Sequence, residues 1–146
     1  MTGKFWICVG SLSAALVVGL GAWGAHGLEI WLQNHATQEI PKRLANWKTG
    51  VDYQMIHSLG LMVIGMLLQL RGRNGLLNMA AIMILIGCVF FSGMLYGWVL
   101  LDSRLMVMLV PLGGLSFIIG WLLLFVASLK MPNSLSAESG SRRRDD

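Results

Sequence analysis

Residues 75–101 read GLLNMAAIMILIGCVFFSGMLYGWVLL, 27 positions without one Asp, Glu, Lys or Arg. A helix of about 20 apolar residues crosses the hydrocarbon core of a bilayer, so this stretch is long enough to span. Working outward, three more runs lack charged side chains: Phe5–Leu28, Tyr53–Leu70 and Leu105–Leu129. Inside lipid each backbone N–H and C=O must find a partner within the protein, which leaves helices as the way for such runs to cross. The pattern predicts an all-α membrane protein, a four-helix antiparallel transmembrane bundle. Its spans are expected near 5–28, 53–70, 76–100 and 108–129, in one membrane domain over 1–130, with an outer loop over 29–52 and a tail over 131–146.

Composition agrees. Hydrophobic residues make up 55% of the 146-residue chain and charged residues 12%, about half the charged share of an ordinary soluble domain. The net charge of +4 does not point to nucleic acid, because the basic residues flank apolar runs, where orientation signals belong. Cys8 and Cys88 are expected at different depths, as two buried thiols rather than a disulfide, and neither fits a metal motif. The first run is longer than the apolar region of a secretory signal and lacks a clear cleavage site. It is read as a retained helix.

Orientation follows from the basic residues near the spans. Arg71 and Arg73 lie in a short turn that abuts two of them, which predicts a cytoplasmic second loop and cytoplasmic termini in a bacterial inner membrane. In the outer loop Ile40, Leu44, Trp47 and Val51 recur at helical spacing after Pro41. A short amphipathic helix on the membrane surface and an irregular loop both fit. Trp31, Trp47, Tyr53, Tyr96 and Trp98 are expected as an outer aromatic belt. The tail is rich in Ser with Pro, Gly and charges, a composition that predicts disorder. The first helix is rich in small residues; Gly10 with Ala14 and Gly21 with Ala25 have the spacing that lets helix backbones approach. That serves packing within the bundle or a homo-oligomer face.

Polar side chains inside lipid call for an account. The candidates are His26 in GAWGAHGL, Tyr53, Gln54 and His57 in WKTGVDYQMIHSL, Ser92 and Tyr96 in FFSGMLYG, and Ser116 in PLGGLSFIIGW. Counted at 1.5 Å per residue from the nearest flanking cation, all fall in the outer third of the membrane. Tyr53 and His57 share a helix face, as do Ser92 and Tyr96. Gly24, Gly93, Gly113 and Gly114 are expected as close-packing positions, the last two at the start of the final helix. The cluster is read first as hydrogen-bonded staples of the bundle and second as a small pocket for a lipid, a quinone or a protein segment. A bis-histidine haem site on His26 and His57 is the weakest reading; zinc wants three or four ligands. No nucleophile–base pair, carboxylate dyad or phosphate loop is present.

These four motifs, in this order and in a chain of this size, resemble the domain-of-unknown-function 423 family of small bacterial inner-membrane proteins, with its eukaryotic relative transmembrane protein 256. The resemblance covers about Phe5 to Leu129, and the loop Glu29–Arg43 looks longer than usual. The matching positions are Gly24, Ala25, His26, Tyr53, Gln54, His57, Ser92, Gly93, Tyr96, Pro111, Gly113, Gly114 and Trp121. It implies a multi-span membrane protein and carries no reaction, catalytic residue or cofactor. The expectation is a non-enzymatic accessory subunit or scaffold of a membrane complex, in contact with the lipid bilayer and with a membrane-protein partner or a second copy. The alternative is a binder or carrier of a small hydrophobic ligand or an ion through the outer polar cluster.

Overall fold

The computed structural model describes residues 1–35 and 39–131. Five helices account for nearly all of them. They are α1 (Gly3–His26), α2 (Leu28–His35), α3 (Ile40–Arg71), α4 (Gly75–Leu101) and α5 (Arg104–Leu129). α1, α3, α4 and α5 are each long and apolar enough to cross a membrane. The tail from 132 onward lies outside the described residues, as do 36–38 of the outer loop.

The helix boundaries follow from local chemistry. Thr2 caps α1, its hydroxyl 3.4 Å from the Phe5 N–H. The tight turn after α3 uses Gly72 at φ +80, a left-handed conformation that glycine adopts without strain. Asn74 then opens α4, its side chain accepting from the Leu76 and Leu77 N–H groups at 2.9 and 3.2 Å. α4 ends at Asp102, also left-handed at φ 54, whose N–H returns to the Trp98 carbonyl. The last helix begins at Arg104, four residues before the expected 108, so Pro111 lies two turns inside it.

α1 runs antiparallel to α3 along nearly its whole length. Gly3 faces Gly65, Gly10 faces Ser58 and Met62, Gly21 faces Val51, and Gly24 faces Trp47. A Cβ on Gly10 would come within 2.7 Å of the Ser58 carbonyl oxygen. Gly3, Gly10, Gly21 and Gly24 of α1 therefore serve packing within the bundle. α4 packs against both α3 and α5, while α1 and α5 flank the assembly and bury much less of themselves.

Two apolar cores occupy opposite ends. One gathers Trp6, Leu61, Leu68, Leu77, Ile84 and Ala127. Its fully buried Trp6 donates to the Asn78 side-chain oxygen at 2.9 Å, tying α1 to α4. The other gathers Leu28, Leu32, Trp47, Trp98 and Val99. The expected aromatic belt is corrected for two of its five members, since Trp47 and Trp98 are only 3% and 6% exposed and form the centre of a packed cap. The cap also settles the outer loop. The helix after Pro41 exists, but it is the continuous beginning of the 32-residue α3, and it turns Arg43, Trp47 and Gly50 inward. Both cysteines are free; Cys8 is exposed on the flank of α1 rather than buried.

Candidate functional site

Polar side chains from three helices meet, those of Ser13 and Gln54 near the midpoints of α1 and α3 and that of Tyr96 from the last third of α4. Gln54 and Ser58, one turn apart on α3, face Ser13 on α1 and Tyr96 on α4. The Gln54 amide donates to the Ser13 hydroxyl at 3.2 Å, and the Tyr96 hydroxyl donates to the Gln54 side-chain oxygen at 3.0 Å. The Ser13 and Ser58 hydroxyls lie 2.7 Å apart. Ser58 donates back to the Gln54 carbonyl at 2.7 Å. This i−4 bond satisfies a serine hydroxyl within its own helix.

His57 anchors a second arrangement on the adjacent face. Its Nδ1 is 2.7 Å from the Tyr53 carbonyl oxygen and its Nε2 is 3.1 Å from the Trp121 indole nitrogen. A carbonyl only accepts and an indole N–H only donates, so the ring is a neutral imidazole with its proton on Nδ1. Phe117 stacks on it with centroids 3.4 Å apart, and Tyr53 stacks on Phe91 at 4.5 Å. These rings bind α3 to α4 and α5. Both His57 nitrogens are occupied, so neither has a lone pair free for an iron or a zinc.

The expected residues do not all join. His26 ends α1, is exposed, and shares no hydrogen bond or ring contact with His57. Ser116 turns to its own helix and donates to the Leu112 carbonyl at 2.9 Å. Ser92 is 1% exposed and its hydroxyl has no hydrogen-bond partner among the described residues. It lies where α4 widens into a π-helical turn at Cys88–Gly93, a feature found often at functional sites. Along the helices, Ser116 lies within about 1 Å of the midpoint of α5 at 1.5 Å rise per residue, whereas Tyr96 lies in the last third of α4.

Of the four glycines, two pack as expected. A Cβ on Gly24 would sit 2.6 Å from the Trp47 indole, and one on Gly113 would collide with the backbone of Phe90 and Phe91. Gly93 and Gly114 meet nothing closer than 3.8 Å. Two participants went unforeseen. Ser13 could have been found from the register, since Gln54 and Ser58 need a partner midway along a neighbour and SLSAAL supplies it. Arg43 carried no comparable sign. It is 4% exposed, donates to the Val99 carbonyl at 2.8 Å, pairs with Asp102 at 2.7 Å and lies over the Trp98 ring.

Beside the Gln54 network, α1 and α4 part to leave a groove of about 560 Å³. Leu16 and Gly19 form one wall, Leu85, Val89 and Gly93 the other, and Ser13, Gln54 and Tyr96 supply the polar lining.

Four apolar spans joined by a hydrogen-bonded polar cluster define a multi-pass helical membrane protein. Residues 20–114 match the family described as protein of unknown function (DUF423), and the chain belongs to that family. It is 42% identical over 127 residues to the UPF0382 membrane protein of Staphylococcus epidermidis, covering 87% of this chain and 97% of that one. It is 41% identical over 128 residues to the UPF0382 membrane protein YwdK of Bacillus subtilis, covering 87% and 98%. No solved structure matches the chain.

Proposed function

We propose that the protein is a non-enzymatic accessory subunit or scaffold of a complex in the bacterial plasma membrane. The observation that carries this reading is the state of the polar residues. Ser13, Ser58, Gln54, Tyr96 and His57 are spent on one another, on backbone carbonyls and on Trp121, which is how side chains hold helices together. The flanks of α1 and α5 add support. Leu12, Leu16, Leu115, Ile118, Leu122 and Phe125 are exposed and offer broad apolar faces to lipid or to a partner's helices. The orientation that accords best with Arg71 and Arg73 puts the α3–α4 turn and both ends of the chain in the cytoplasm.

A second reading is favoured by the groove between α1 and α4. Its volume and polar lining suit the head of a small hydrophobic ligand such as a quinone, with an apolar tail along Leu16 and Leu85. Gentle solubilisation and co-purification separates the two. A stoichiometric membrane-protein partner is the result expected of a scaffold. A partner-free preparation that carries a quinone held in the groove between α1 and α4, and loses it on Gln54→Leu, would overturn it in favour of the carrier.

A further inference from the structure

At the cap end a second, larger groove of about 910 Å³ runs between the start of α3 and the start of α5. Its mouth is charged and its depth is apolar. Lys42, Arg43 and Arg104 face Glu39 and Asp102 there, while Val107, Met108 and Pro111 line the part that descends along α5. The charges are unequally committed. Arg43 is held by Asp102 and the Val99 carbonyl. Lys42 reaches Glu39 at 3.0 Å, but both side chains are more than half exposed, and such a pair is weakly held. Arg104 is exposed, and no hydrogen bond or ion pair engages it among the described residues. The groove therefore has one more cation than acid, at the level where the spans end.

We propose that this groove binds the headgroup phosphate of an anionic phospholipid, with Arg104 and Lys42 on the phosphate and an acyl chain along Val107, Met108 and Pro111. A soluble anion has no use for the apolar part, which opens towards the hydrocarbon. A zwitterionic lipid brings a second cation to a site that already has a surplus of one. Pro111 has no N–H, so the Val107 carbonyl lacks its intrahelical donor and offers an acceptor to headgroup hydroxyls. This site shares no residue with the groove between α1 and α4 and does not depend on the scaffold reading.

The test titrates the purified full chain in mild detergent with dioleoyl phosphatidylglycerol, dioleoyl phosphatidylcholine or inorganic phosphate, and reads the melting temperature and retained lipid by native mass spectrometry. Phosphatidylglycerol is expected to raise the melting temperature saturably and to be retained in preference to phosphatidylcholine. Inorganic phosphate is expected to do neither. Arg104→Gln should weaken the phosphatidylglycerol midpoint about fivefold, the worth of one basic residue near an anionic surface, with the lipid-free melting temperature unchanged. Arg73→Gln, at the other end of the molecule, should leave the midpoint as it was. Equal effects of the two lipids, an Arg104→Gln midpoint equal to wild type, or a response reproduced by phosphate alone would each overturn the proposal.

Discussion

His57 is the residue that ties α3 to α5. It carries an acceptor for Trp121, a donor for Tyr53 and a ring face for Phe117. Removing it leaves the Trp121 N–H unpaired and opens a hole beside Phe117. His57→Ala should therefore lower stability by about 1–3 kcal/mol, measured by denaturant titration in detergent. Trp121→Phe removes the donor and part of the ring that packs by Gly60, and should cost less because Trp121 is partly exposed. The double variant should fall short of the sum of the two by about 0.6–1.7 kcal/mol, the range for hydrogen bonds between membrane helices. Strict additivity would mean that the 3.1 Å contact contributes no energy. The importance of His57 was legible because an imidazole within an apolar run demands a partner. His26 carried the same sign and misled, because a histidine at a helix end meets that demand outside the bundle.

Close approach between elements makes a sharper test, because four glycines that look alike in the sequence differ in what surrounds them. Gly113→Ala would press a methyl into the backbone of Phe90 and Phe91 and should cost about 1–3 kcal/mol. Gly93→Ala meets only the Cys88 carbonyl oxygen at 3.8 Å, an ordinary contact, and should be neutral or stabilising by up to about 1 kcal/mol, the helix propensity gained. Thermal unfolding of the two variants side by side reads the difference. Arg43 acts between elements as well, closing the carbonyl end of α4 from α3. Arg43→Lys should recover only part of the stability lost in Arg43→Ala, because an ammonium cannot engage Asp102 and Val99 with separate nitrogens. The spans were legible from hydrophobicity, which depends on composition alone. The π-helical turn and the Arg43 clamp were not, because both depend on which helices become neighbours.

Across the whole molecule the two ends differ, with a Trp-rich cap at one and an aliphatic core at the other, and orientation becomes measurable. With Cys8 and Cys88 replaced by alanine, single cysteines at exposed Asn34 and Gly75 should label oppositely with an impermeant thiol reagent in intact cells. Asn34 is expected to react and Gly75 to stay protected; the reverse pattern would invert the molecule. Fold class and family were legible at this scale because four long uncharged runs admit few arrangements, whereas the cap drew on residues that the sequence presents as a loop. The length of α3 has a mechanical consequence. Its 32 residues make a rod of about 48 Å, some 18 Å longer than the hydrocarbon core is thick. A rod anchored in the hydrocarbon and reaching beyond it among the headgroups behaves as a lever. A change of about 10° in its tilt, of the kind that bilayer thickness imposes, would sweep its outer end about 3 Å sideways from the point of emergence. Because Arg43 fastens that end to α4, bilayer thickness would be felt first at the junction of α4 and α5.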